Sequence, residues 1–374
     1  MKLLILSVLL WSSAATATKA RLTALGNSFH LRCSQTGFTT PTHILGLDNF
    51  VTFESGVTTP AFTVSSGSTA AEGAILMNAG EGAKLLFSIG HIDESIQIQR
   101  GFANAFTFTF KPQQNPFQVL YAWKSGENSF GVGAFYSNFN NKTTGAEEKE
   151  TSTGLRVSGS HGAISWRANL GLTNTAQNPT NKFTGKPYIN IAGRFTQDSI
   201  RYAFDYTSWG IKIEDLVPAV VQEHDYTNML LRIVNTQKIE TGDLYYGAGI
   251  SQTIIKDKIG GDKFNRMTLP VLIGVESKAN DWLTLRGSIS QTVFVAQSKD
   301  EFGYPANSST TPANGTPDRE FGAEANNTAV AVGAGLKFGN STIDGTLRDL
   351  VGSTAGQKID GSNLFAQVGF VYNY

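Results

Sequence analysis

Five histidines (His30, His43, His91, His161 and His224), one cysteine (Cys33) and 30 carboxylates are the chain's raw material for acid–base, nucleophilic or metal chemistry. His224–Asp225 sets an imidazole beside a carboxylate, and Ser160–His161 sets a hydroxyl beside an imidazole. Neither spacing builds a site. Neighbours in one turn point apart, and a charged pair in one loop is an ordinary solvated surface. Cys33 has no second cysteine to pair with and reads as an inert thiol. Gly-rich stretches at 131–134 and 333–336 lack the helix opening of a dinucleotide fingerprint, and no phosphate loop, zinc helix or nucleophile elbow occurs. These readings predict no enzyme, no metal and no cofactor. With 30 basic against 30 acidic side chains, there is also no charge excess to hold nucleic acid.

What remains is a set of arginines in one repeating phase. Arg156, Arg167, Arg194, Arg201, Arg232, Arg286 and Arg348 share it, as do Asp205, Glu276 and Asp344. The elements that carry them alternate with period two. Ile164, Trp166, Ala168, Leu170 and Leu172 interleave with Ser165, Arg167, Asn169 and Thr173, and Leu283, Leu285 and Ile289 interleave with Thr284, Arg286 and Ser288. Ile200, Tyr202, Phe204 and Tyr206 do the same, and so do Phe106, Phe108 and Phe110. Alternation at this period is a strand signal, because successive side chains leave opposite sheet faces.

A soluble sandwich and a membrane barrel both satisfy that pattern. Length separates them. Runs at 130–139, 162–173, 244–255 and 282–295 match the roughly 9–11 residues a membrane-spanning strand needs. The connections separate them again. Short breaks at 126–128, 160–162, 196–198, 241–243, 278–281 and 339–340 alternate with polar stretches at 140–151, 174–186, 212–226, 257–265, 298–326 and 350–361. Short periplasmic turns and long external loops are the rhythm of an outer-membrane barrel. The prediction is therefore an all-β fold: a transmembrane antiparallel up-and-down barrel of about 16 strands, with about 14 as second choice.

The ends agree. Lys2, the apolar run LLILSVLLW and the small residues SSAATA form an export signal, with cleavage expected after Ala17. Residues 18–48 then read as a periplasmic or lumen-facing segment, and 49–374 as the barrel. Val368, Phe370, Tyr372 and Tyr374 place an apolar or aromatic residue at every second position, ending on an aromatic. This resembles the C-terminal strand signature read by the bacterial outer-membrane assembly machinery, which the resemblance makes a partner. Tyr121, Trp123, Tyr136, Tyr188, Phe195, Trp209, Tyr226, Trp282 and Tyr372 gather near strand ends, as interfacial girdles do.

From Arg21 the chain reads RLTALGNSFHLRCSQTGFTTPTHILGL, followed by NFVTFESG. This resembles the N-terminus of porin-like major outer-membrane proteins of predatory Gram-negative bacteria. It is similar, more distantly, to fatty-acid-transporter-type barrels, which carry an "LG…NPA" segment before the first strand. Leu25–Gly26–Asn27 match that segment, whereas Thr40–Pro41–Thr42 stand where "NPA" would be.

The expected function is that of a porin in the bacterial outer membrane, passing small hydrophilic solutes and ions through a water-filled lumen. The arginine phase would make its wall basic and favour anions. Glu301, Asp318, Glu320 and Glu324, in the longest polar stretch, are candidates for a constriction loop facing that wall. Two alternatives stand beside this: a hydrophobic-molecule transporter with an N-terminal plug, and a non-conducting structural or surface-interaction barrel. Lipid is the expected surrounding, and a homotrimer is compatible with the sequence without being required by it.

Overall fold

The computed structural model describes residues 18–56, 70–105, 108–143, 146–216, 221–261, 263–300, 320–323, 328–351 and 367–374. The strands are β1 (Phe50–Gly56), β2 (Ala70–Asn78), β3 (Ala83–Ile89), β4 (Phe117–Ser125), β5 (Asn128–Thr143), β6 (Ala146–His161), β7 (Ile164–Gln177), β8 (Asn181–Gly185) and β9 (Tyr188–Gln197). They continue as β10 (Ile200–Asp215), β11 (Val221–Ile239), β12 (Gly242–Asp257), β13 (Lys263–Lys278), β14 (Leu283–Asp300), β15 (Glu320–Ala323), β16 (Thr328–Phe338), β17 (Ser341–Val351) and β18 (Gln367–Asn373). Pairing is antiparallel throughout and runs between sequence neighbours except within the couples β8/β9 and β15/β16, and β1 pairs with both β2 and β18, Phe50 standing opposite Leu76 and Asn373. The sheet is therefore closed. β8 and β9 share one stave between β7 and β10, and β15 and β16 share another beside β14, so the wall has 16 staves.

The alternation sorts side chains between two surroundings. On β7 and β14, Ile164, Trp166, Leu172, Leu285 and Ile289 are exposed on the outside, about half their surface open, while Asn169, Arg286 and Ser288 are buried inside. Large apolar side chains exposed around a closed wall with polar ones buried within reverse the arrangement of a water-soluble domain, and lipid is the solvent that suits them. Aromatics collect at the short-turn rim. Tyr121 stacks on Trp123 at 5.5 Å, Trp123 meets Phe130 at 5.7 Å, and Phe195 stacks on Tyr202 at 6.1 Å. The turns beneath them are tight because Gly126, Gly162, Asp198 and Gly339 take positive φ, which two-residue hairpins demand.

Three expectations are corrected. The polar stretches at 140–151, 174–186 and 212–226 are mostly strand, and the one at 257–265 is cut short by strand at both ends: β5, β6, β10, β12 and β13 each run 16 residues and β11 runs 19. Period two and cross-strand pairing persist there after the outward apolar residues give way to polar ones, so the hairpins extend past the apolar band. Tyr188, Trp209 and Tyr226 belong to no outer girdle. Tyr188 and Trp209 are buried inside, and Tyr226 stacks on Trp209 at 4.6 Å. Finally, no strand forms at Phe108–Phe110; Phe106 and Thr107 lie outside the described residues. A helix precedes this stretch instead, α3 (Glu94–Ala105). Asp93 starts it by accepting from the Ser95 amide at 3.0 Å, and Ile96, Gln99, Arg100 and Ala103 form its buried i, i+3, i+4, i+7 stripe.

Two segments fill the interior. The first comprises α1 (Lys19–Ala24), α2 (Ser34–Thr39) and a 3₁₀ turn (Pro41–Gly46), and occupies the half nearest the short turns. The second, α3 with the chain after it, hangs between β3 and β4 in the other half. Wall glycines make room for the first segment. A Cβ on Gly369 would collide with Thr18, and one on Gly131 would meet Pro41 at 2.8 Å.

Candidate functional site in the barrel lumen

An unfilled barrel of 16 strands leaves an aqueous channel, so what fills this one decides what it can do. Residues 18–49 attach to the wall in three places. Beside β13, β14 and β17, Arg21 donates to both Glu276 oxygens, Nε to Oε1 at 2.8 Å and Nη2 to Oε2 at 2.6 Å. Arg286 joins Glu276 (2.7 Å) to Asp344 (2.6 Å), and the Thr18 hydroxyl donates to the other Asp344 oxygen at 2.9 Å. Thr18 also caps α1 by accepting from the Arg21 amide.

On β1 and β2, Glu54 and Glu72 stand directly opposite each other in the register and both are buried. Like charges in that relation repel. The N-terminal segment resolves the conflict: the Lys19 amide donates to Glu54 at 2.5 Å, its ammonium pairs with Glu72, and the Gln35 amide group reaches both. His91, stacked on Phe38 at 3.8 Å, meets Glu72 at 2.8 Å. Apolar contacts surround this pair, where Phe38, Ile44 and Leu47 pack on Leu76, Leu86 and Leu120.

The third attachment is to β6, β10 and β12. The Thr42 amide donates to Ser158 at 2.9 Å, Arg201 donates to the His30 carbonyl, and the Tyr245 hydroxyl donates to the Leu25 carbonyl at 2.7 Å. His30 and His43 are buried in a basic surrounding. Burial first, then Arg201 and Arg21, hold the His30 imidazole down to about 4. Burial and then Arg194 and Arg32 hold His43 well below the usual imidazole range. Both rings are neutral at ordinary pH.

The second segment is held differently. Phe102 and Phe110 enter an apolar cluster with Phe183, Trp209, Ile211 and Phe264. Arg100 pairs with Glu150 at 2.7 Å and donates to Asn174 at 2.8 Å, and Asp93 pairs with Arg156.

Arg156, Arg286, Asp205 and Asp344 are thus buried on the inner face, and Arg167, Arg194, Arg201, Arg232 and Glu276 lie there partly buried. Arg167 and Arg232 converge on Asp205 at 2.9 and 2.5 Å. The side chain of Arg348 lies outside the described residues, as do Glu301, Asp318, Glu324 and the side chain of Glu320. Val368, Tyr372 and Tyr374 are exposed on β18 and just past it, with Phe370 partly exposed between them.

Residues that nothing in the sequence assigned to the lumen carry much of this interior: Lys19, Arg21, Glu54, Glu72, His91, Arg100 and Glu150. The phase of Glu54, flanked by Phe53 and Ser55, was the available signal for an inward acid. Cys33 caps α2 from a fully buried position, and burial pushes its thiol up to about 11. His224 packs on Phe102 at 5.9 Å, whereas Asp225 pairs with Lys186 at 2.5 Å, so the two neighbours serve separate contacts. Among the described residues no group of His, Cys, Asp and Glu is placed to hold a metal.

No family model and no curated protein matches this chain. Among solved structures it is similar to OmpT, an outer membrane protein of Vibrio cholerae, at 12% identity over 87% of this chain and 95% of that one, with a TM-score of 0.39. It is similar to a bacterial polysaccharide outer membrane secretin at 10% identity over 87% and 98%, TM-score 0.46. The toluene transporter TodX of Pseudomonas putida matches at 11% identity over 96% of each chain, TM-score 0.38. With identities and TM-scores this low, what the chain does must be read from its own lumen.

Proposed function

We propose that this protein is an outer-membrane channel for small hydrophilic solutes and ions, kept closed by residues 18–49 folded inside it. The reading involves no covalent step and no cofactor. The apolar outer band and aromatic rim support the membrane placement, and the C-terminal strand supports delivery by the outer-membrane assembly machinery. One observation carries the gating: the N-terminal segment is tied to the wall in three places by ion pairs and hydrogen bonds alongside its apolar contacts, and water can solvate the polar groups that its withdrawal would expose. A wall lined by Asn169, Arg286 and Ser288 suits polar solutes.

The test is single-channel recording in a planar bilayer. The mature chain is expected to give rare or small openings, and a chain lacking residues 18–47 larger and more frequent ohmic steps, of a size still limited by α3. A deleted chain that folds to a heat-modifiable barrel and stays silent would overturn the proposal. A second reading, a carrier of hydrophobic molecules, draws on the apolar cluster around Phe102, Phe183 and Trp209. It predicts saturable binding of an apolar fluorophore that the Phe102→Ala change abolishes.

A further inference from the structure

Most lumenal arginines are matched by acids: Arg21 and Arg286 by Glu276 and Asp344, Arg100 by Glu150, and Arg156 by Asp93. One group is not. Arg194 on β9 stands opposite Ala203 on β10, which stands opposite Arg232 on β11, while Arg167 on β7 is opposite Ala192, itself opposite Asp205. Arg201 lies two residues from Ala203 on the same face. These arginines occupy adjoining staves, with the small side chains of Ala192 and Ala203 between them.

Asp205 serves Arg167 and Arg232 and is the one carboxylate paired within the group. Among the described residues Arg201 reaches only the carbonyl of His30. Arg194 makes no ion pair among the described residues; its charged neighbours are Arg167, Asp205, Arg232 and Arg201. The ring of Phe29 lies under Arg232 at 4.6 Å and Arg194 at 5.9 Å, which keeps the two guanidinium groups apart without neutralising either. The N-terminal segment adds a further cation, Arg32, an exposed side chain next to Arg201. Glu94 on α3, an exposed side chain, is a further acid near Arg167, and with Asp205 it leaves the group net positive.

Like charges gathered in an enclosed space repel strongly, and planar guanidinium groups are the side chains that best hold oxyanions, two donors at a time. We infer that Arg194 and Arg201 of the wall, with Arg32 of the N-terminal segment, form a binding station for a doubly charged oxyanion of the phosphate or sulfate type. Asp205 holds Arg167 and Arg232 beside it as the rear of the site. The station is complete only with the N-terminal segment in place, so bound oxyanion favours the docked segment, and binding can be measured without the channel opening. Its part in selecting solutes rests on the channel proposed above.

The experiment uses the mature chain folded in detergent micelles in excess chloride, titrated with inorganic phosphate by isothermal calorimetry. Saturable one-site binding is expected. Arg194→Gln and Arg201→Gln together should weaken it by about tenfold or more, the loss of two charge-assisted hydrogen-bonding groups. Arg32→Gln, an exposed position that leaves the wall intact, should weaken it severalfold and keeps the test decisive where the wall variant does not fold. Lys238→Gln, 82% exposed at the short-turn rim, should bind as the parent does. Absence of saturable phosphate binding by the parent, or an affinity untouched by Arg32→Gln, overturns the station. Phosphate binding in a barrel that never conducts, even with residues 18–47 removed, would overturn the channel and leave the station standing.

Discussion

The two segments inside the barrel are held by different physics. Residues 18–49 meet the wall through Arg21–Glu276, Lys19–Glu72, Thr18–Asp344 and main-chain hydrogen bonds, together with two apolar clusters around Phe38 and Phe29. α3 meets it through Phe102, Ala103 and Phe110 in an aromatic cluster, and is tied to the wall at both ends, between β3 and β4. Water can replace the partners of an ion pair. Nothing in water replaces a buried phenyl contact. Under the proposed gating the first segment is the one that leaves, since water can take over its several ion-pair and hydrogen-bond attachments, whereas α3 is also tied into the chain at both ends.

The largest expected effect tests the staying half. Phe102 is fully buried and meets Trp209 edge-on at 5.2 Å, so Phe102→Ala should cost about 3–5 kcal/mol in the docking of α3. Hydrogen exchange of the 94–105 amides would show it, with little dependence on salt or pH. A salt-sensitive loss would mean that Arg100–Glu150 dominates there instead.

An intermediate effect tests the leaving half through pH. The His30 ring is held near 4 when docked, against 6.5 in its ordinary state. A released segment therefore binds the extra proton. Docking is at full strength above about 6.5 and weakens as pH falls toward about 4, by up to roughly 3 kcal/mol for this ring alone. His43, shifted the same way, adds to it. Open probability in the bilayer should rise on acidification through that window, and His30→Gln should flatten the rise. Equal pH profiles for parent and variant would remove His30 from the gate.

The smallest effect concerns a single peg. Thr18→Val removes the hydroxyl that Asp344 accepts from, and should loosen the segment by about 1 kcal/mol. Cys33, the chain's one cysteine and buried in that segment, is a native reporter. Its alkylation at mildly alkaline pH should quicken severalfold in the variant and stay unchanged in Phe102→Ala. The same rate in all three chains would mean that Cys33 is reached without undocking.

Much of the wall was legible because strand pairing is local. Trp166 and Arg167, or Leu285 and Arg286, point apart as consequences of a two-residue repeat, and turns at Gly126, Gly162 and Gly339 follow from the residue itself. α3 escaped because its buried stripe includes Gln99 and Arg100, whose burial depends on Lys186, Asn174 and Glu150 far along the chain. The alternating FTFTF after it then imitated a strand. The neutralisation of the basic lumen is illegible for a related reason: an inward arginine looks the same in sequence whether its partner is solvent or Glu276.

By itself, then, the sequence determined a closed antiparallel wall and the phase that separates its two faces. These depend on side-chain alternation and on hairpins between neighbours, and a linear string records both. Only the tertiary structure decided that the lumen is occupied, which acids neutralise which arginines, and which arginines are left over. Thr18 and Asp344 stand 326 residues apart. Closing the barrel brings them to hydrogen-bonding distance, and no local propensity encodes a contact that arises only once the ring is complete.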